Sequence, residues 1–151
     1  MKKKLSLIFS SLALLLVMIV TLCACSSYSS IKSAYTKEGY EEIEISKEYK
    51  DKVTDMFGED VADTLTIHVL KLKVADDANA LDKAAAATST VIIAEFKSTK
   101  ELEEQMKKHV TEEDEKKISE AIQKLDTVSG NCVYVFSLSQ KSFDIFKSTK
   151  K

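Results

Sequence analysis

Thr90-Val91-Ile92-Ile93-Ala94-Glu95-Phe96-Lys97 is the stretch on which the fold turns. Four apolar side chains, three of them β-branched, follow one another with polar residues on either side. The run is too short for a helix of ordinary length, and its β-branching suits a strand. It reads as a central, largely buried strand, so the rest of the chain has to supply its sheet neighbours and its covering helices.

Two further stretches fit the neighbouring strands. In Thr64–Val74, Leu65, Ile67 and Val69 share one face while Thr66 and His68 share the other. The phase then slips, because Leu70 and Leu72 are apolar with Lys71 and Lys73 between them. Either a bulge or a change to two-sided burial produces such a slip. Cys132–Leu138 follows the turn residues Ser129-Gly130-Asn131, with Val133 and Val135 assigned to one face and Tyr134, Phe136 and Leu138 to the other. Tyr40–Ile45 alternates more weakly and suggests a short extended segment.

Helical spacing fills the gaps. Tyr49, Val53 and Met56/Phe57 fall on one face between a candidate cap, Ser46, and a candidate stop, Gly58. Asp76–Thr88 reads as a loop with a cap and then a short Ala-rich helix. Its Asp/Asn cluster lacks the Gly and closing Glu of a calcium loop. Ser98 with Glu101 forms a capping box. Leu102, Met106 and Val110 continue from it, and a second stripe runs through Ile118, Ala121, Ile122 and Leu125 after a break near Thr111. Phe143 and Phe146 mark a closing helix. The expected fold is α+β, a small antiparallel or mixed sheet of three or four strands with helices packed on one face.

Residues 1–24 decide location. Lys2, Lys3 and Lys4 precede an apolar run from Leu5 to Leu22, and Leu22-Cys23-Ala24-Cys25 closes it. A basic flank, an apolar run and a small residue before a cut is the layout of an export signal. The final four residues resemble the lipobox of bacterial lipoproteins, with Leu22 at −3, Cys23 at −2, Ala24 at −1 and Cys25 at +1. That resemblance implies cleavage before Cys25 and a diacylglyceryl thioether on its sulfur, two acyl chains being what stable anchoring takes. An uncleaved transmembrane helix is the competing reading, since the run approaches the roughly 20 residues that span a bilayer; it leaves Ala24-Cys25 unexplained. The expected organisation is a signal peptide over 1–24, a Ser-rich lipidated tether over 25–36 and one globular domain over 37–151. The domain then sits outside the cell, at the outer face of the cytoplasmic membrane and facing the cell wall.

The spacing of Met56-Phe57-Gly58-Glu59-Asp60-Val61, the Thr90–Lys97 strand and the Gly130-Asn131 turn before Val133–Ser137 resembles a family of uncharacterised small lipoproteins from Firmicutes. The resemblance implies location and fold and brings no active site.

Composition excludes several functions. The three lysines of the leader, taken from 22 basic residues, leave 19 against 24 acidic ones, a net charge of −5. No arginine is present, and no basic stripe marks a nucleic-acid partner. Once Cys23 leaves and Cys25 carries lipid, Cys132 has no partner for a disulfide and reads as a small buried hydrophobe. His68 and His109 are isolated and lie in no nucleophile motif. The glutamates from Glu101 to Glu115 are interleaved with lysines and read as a solvated face. The expectation is therefore a non-enzymatic binding or interaction role, with no metal and no cofactor beyond the lipid on Cys25. A small ligand- or ion-binding accessory of a transporter or sensor system is the alternative.

Overall fold

In the computed structural model, which describes residues 27–108 and 115–150, the stretch that opened the sequence reading is the middle of a sheet. The elements run α1 (Ser27–Lys37), β1 (Tyr40–Ile43), α2 (Lys47–Phe57), α3 (Glu59–Ala62), β2 (Thr66–Leu72) and α4 (Ala80–Thr88). Then follow β3 (Val91–Glu95), α5 (Thr99–Lys107), α6 (Glu115–Lys124), β4 (Val128–Ser129), β5 (Cys132–Phe136) and α7 (Gln140–Ser148). The sheet order is β1-β2-β3-β5-β4, and each neighbouring pair is antiparallel. The α+β class and the antiparallel sheet agree with the sequence reading. The described residues hold five strands rather than three or four, because the two-residue β4 carries no pattern of its own.

The helices cover both faces of the sheet, which corrects the expected one-sided packing. Val91, Ile92, Ile93 and Ala94 are all fully buried. A strand alternates its side chains, so four buried neighbours in a row require cover above and below. Val91 and Ile93 point to a first face, where they meet Leu70, Cys132, Ile31 and Tyr35 of α1 and Phe146 of α7. Ile92 and Ala94 point to a second face with Val53 of α2 and Ala62 of α3. Farther along that second face, Phe96 packs with Leu102 of α5, Ile122 of α6, Val128 and Val133.

Two-sided burial also accounts for the phase slip in β2. Its pairing with β1 and β3 runs without a shift, so the strand has no bulge. Ile67 and Val69 serve the second face, and Leu70 and Leu72 join the first. The irregularity lies instead in β5. Ile92 faces Phe136 while Ile93 faces Tyr134, so Val135 is the extra residue of a bulge. The bulge turns Phe136 onto the second face beside Val135, against the strict alternation expected for Cys132–Leu138. Leu138 lies beyond the strand and is 71% exposed.

Residues 27–36 are not a tether. Tyr28, Ile31 and Tyr35 recur at i, i+3 and i+7 and form the buried stripe of α1. Tyr35 donates a hydrogen bond to the Ser142 carbonyl at 2.5 Å, and Tyr40 Oη lies 2.9 Å from Ser142 Oγ. Ser29, Ser30 and Ser33 face outward, so most of the Ser-rich composition belongs to the solvent side of an amphipathic helix. The domain therefore reaches back to Ser27, ten residues earlier than the expected boundary at 37. Ser98 caps α5 as expected, and Asn79 and Ser139 cap α4 and α7; the three side chains accept from backbone amides of Glu101, Asp82 and Ser142 respectively. Ser46 occupies the N-cap position of α2 but makes no capping bond with its side chain.

Candidate functional site

The polar cluster that the fold assembles lies on the first face, at the rim where α1 begins. β1 and β2 place Glu42 opposite Leu70, and β2 and β3 place His68 opposite Ile93. Residues alternate along each strand, so Glu42, His68 and Glu95 all project from the same side as the buried Val91–Ile93 row. Tyr28, from the first turn of α1, covers them. Its ring lies on the His68 imidazole with centroids 3.3 Å apart and planes 13° from parallel.

Each polar atom here has a named partner. His68 Nδ1 is 2.8 Å from Glu42 Oε1, and His68 Nε2 is 2.9 Å from Glu95 Oε2. Tyr28 donates to Glu42 Oε1 at 2.8 Å, and Lys32 Nζ donates to Glu42 Oε2 at 2.6 Å. Asn131 Nδ2 approaches Glu95 Oε1 at 3.5 Å and donates to the Phe96 carbonyl at 2.5 Å. Each ring nitrogen of His68 therefore faces a carboxylate oxygen.

Burial works against the charge on Glu42, but hydrogen bonds from Lys32, His68 and Tyr28 and the adjacent imidazole outweigh it and hold the carboxyl down to about 2. Burial, aided by the bond to Glu42, pushes the Tyr28 hydroxyl well above its usual range, so it remains a donor. Cys132 sits beneath the cluster and is fully buried. Burial, aided by the charge of Glu95, raises its thiol far above the ordinary value. The thiolate is the reactive form, so Cys132 is inert, in keeping with its reading as a buried hydrophobe.

Both ring nitrogens of His68 lie against carboxylates, so neither faces a hydroxyl nucleophile. Among the described residues no group of three or more His, Cys, Asp or Glu side chains converges to hold a metal ion. His68 bridges the two glutamates rather than sharing a centre with them.

Three open clefts of about 600 Å³ indent the described surface. The one between α1 and α7 is rimmed by Ser30, Ser33, Ser148 and Thr149 with Ile145 at its floor. A second lies between α2 and β2, beside Lys50, Asp51 and Ile67.

The lipobox residues Leu22, Cys23, Ala24 and Cys25 lie outside the described residues, as does His109. The sequence reading set His68 aside as isolated; the fold gives both of its ring nitrogens partners and leaves its side chain 13% exposed. Tyr28, Glu42 and Glu95 carried no functional reading. A usable signal existed for Glu95, an acid set at the end of the apolar run Val91–Ala94 and in phase with Val91 and Ile93. No helix among the described residues is long and apolar enough to cross a membrane. No family model, curated protein or solved structure matches the chain.

Proposed function

We propose that this chain is an exported lipoprotein, acylated on Cys25 and held at the outer face of the cytoplasmic membrane, where its domain acts by binding rather than by catalysis. The observation that carries the reading is Leu22-Cys23-Ala24-Cys25 behind three lysines and an apolar run. The committed state of His68 and the sealed thiol of Cys132 support the non-enzymatic half, because the usual base and the usual sulfur nucleophile are both occupied with structure. In cells fed a labelled palmitate, the wild-type protein takes up label and Cys25→Ala does not. Equal labelling of the two overturns the anchor.

The second reading, a small ligand- or ion-binding accessory, draws on the hydroxyl-rimmed cleft between α1 and α7. Its volume lies within the range that small ligands occupy. A panel of sugars, amino acids and divalent cations tested by thermal shift then yields at least one that raises the melting temperature. A flat response across the panel removes this reading.

A further inference from the structure

The first turn of α1 is locked onto one end of the domain. Ser27 packs against Gly130 so closely that a Cβ on that glycine would lie 1.9 Å from Ser27 Oγ. Gly130 begins the two-residue turn between β4 and β5, with φ of +61°. From that turn, contacts spread to the C-terminal ends of two helices. Gln123 of α6 reaches the Gly130 carbonyl at 3.5 Å, and Ser129 Oγ lies 3.2 Å from Thr149 Oγ1 just past α7. Lys150 donates to the Leu125 carbonyl at 2.7 Å, which ties the two helix ends together.

Only Ser26 stands between Ser27 and Cys25. Two peptide links span at most about 7 Å between Cα atoms. A lipid on Cys25 therefore cannot be farther than that, plus a side chain, from the end of the domain carrying the Gly130 turn. We infer that this end, formed by the Gly130–Asn131 turn and the C-terminal ends of α6 and α7, rests directly on the lipid headgroups of an anionic bilayer. The inference rests on the anchor reading for its starting point and adds an orientation to it.

The chemistry of that end fits an anionic headgroup layer. Lys124, Lys147 and Lys150 gather there with Asp126 as the acid paired to Lys147 at 2.9 Å, in a domain that is otherwise acidic. Basic side chains beside an acylated residue add attraction to anionic lipids. Leu125 is 43% exposed at the same place and is suited to the headgroup boundary. The opposite end is marked by Glu38 and Lys141, which pair at 3.0 Å. It lies about 16 Å away along the eleven residues of α1.

Full-length protein purified from membranes and reconstituted in vesicles of phosphatidylglycerol and phosphatidylethanolamine tests this. A fluorophore is attached in two separate variants, Lys124→Cys and Lys141→Cys; Cys132 is fully buried and does not compete for it. A quencher carried on the lipid headgroup is expected to dim the label at position 124 several-fold more than the label at position 141. Equal or reversed quenching overturns the orientation. Mass spectrometry of the same preparation reports the state of Cys25 separately. An acylated Cys25 with equal quenching sinks the orientation alone, and an unacylated protein that leaves both labels bright sinks the orientation and the anchor together.

Discussion

The two faces of the sheet are built by different means. The buried clusters of the second face are apolar: Val53, Ala62, Ile92, Ala94, Phe96, Leu102 and Val128 fill it from three helices, two strands and the residue after β3. The first face is closed by two helices and carries its polar groups inside. Tyr35 and Tyr40 both engage Ser142, Ser142 Oγ also donates to the Ser89 carbonyl, and the Glu42–His68–Glu95 row lies at the rim. Apolar packing constrains volume and tolerates exchange of similar shapes. A hydrogen-bonded interior fixes the angle and register of what covers it, because an unmade bond there costs more than a made one contributes. The first face thus specifies where α1 sits, and the second supplies bulk burial.

The largest expected effect tests whether α1 belongs to the first face at all. Ile31→Ala removes a fully buried side chain under the sheet, and the loss of stability is expected to be about 3 kcal/mol. Urea denaturation of the variant measures it. A change near zero would mean that residues 27–36 hang free as a tether after all.

Gly130→Ala comes next, at about 2 kcal/mol, since the new Cβ must enter a positive-φ position and displace Ser27. Replacing Ser27 by Gly in the same chain removes the obstructing side chain and is expected to return part of that loss. Strict additivity of the two substitutions would show that α1 and the β4–β5 turn are not in contact.

Tyr35→Phe sharpens the contrast between faces. It strips one donor from the Ser142 carbonyl while leaving the ring in place, and about 1 kcal/mol is expected. On the second face Leu102→Met, a change of shape at constant volume, should cost less than that. Equal costs would deny that the faces differ in kind.

The smallest effect is a pH dependence. Glu42 ionises near 2 in the folded protein and at 4.5 when unconstrained. A depressed carboxyl adds stability at pH values above 4.5 and loses it as the pH falls toward 2. The loss is modest because the side chain is 32% exposed and water screens its partners. Thermal melts between pH 6 and pH 2 are expected to show a shallower decline for Glu42→Gln than for wild type over the lower half of that range. Identical declines would remove Glu42 from the account of His68.

Those positions also mark how far the sequence could be read. Thr90–Lys97 announced a buried central strand because four apolar neighbours have no other use, and the phase of β2 was legible up to His68. The docking of α1 was hidden by composition. Five serines surround Tyr28, Ile31 and Tyr35, and the flexibility that serine suggests obscured an i, i+3, i+7 stripe. The bulge at Val135 was not legible, since a slip in register depends on the partner strand and leaves the local pattern of Cys132–Leu138 unaltered. The polar row was not legible as a unit either. Glu42, His68 and Glu95 stand 26 and 27 residues apart in sequence, and only the pairing of three strands sets them side by side.

The margins of the sheet carry one more consequence. β1 is four residues long, and both of its glutamates are clasped by lysines, Glu41 by Lys73 and Glu42 by Lys32. The margin opposite, β4, has two residues. A strand from another copy, seeking a ribbon of unpaired amides and carbonyls to zip along, finds a stub on one flank and a charged hem on the other. Molecules of this shape can be crowded together without fusing edge to edge into fibrils.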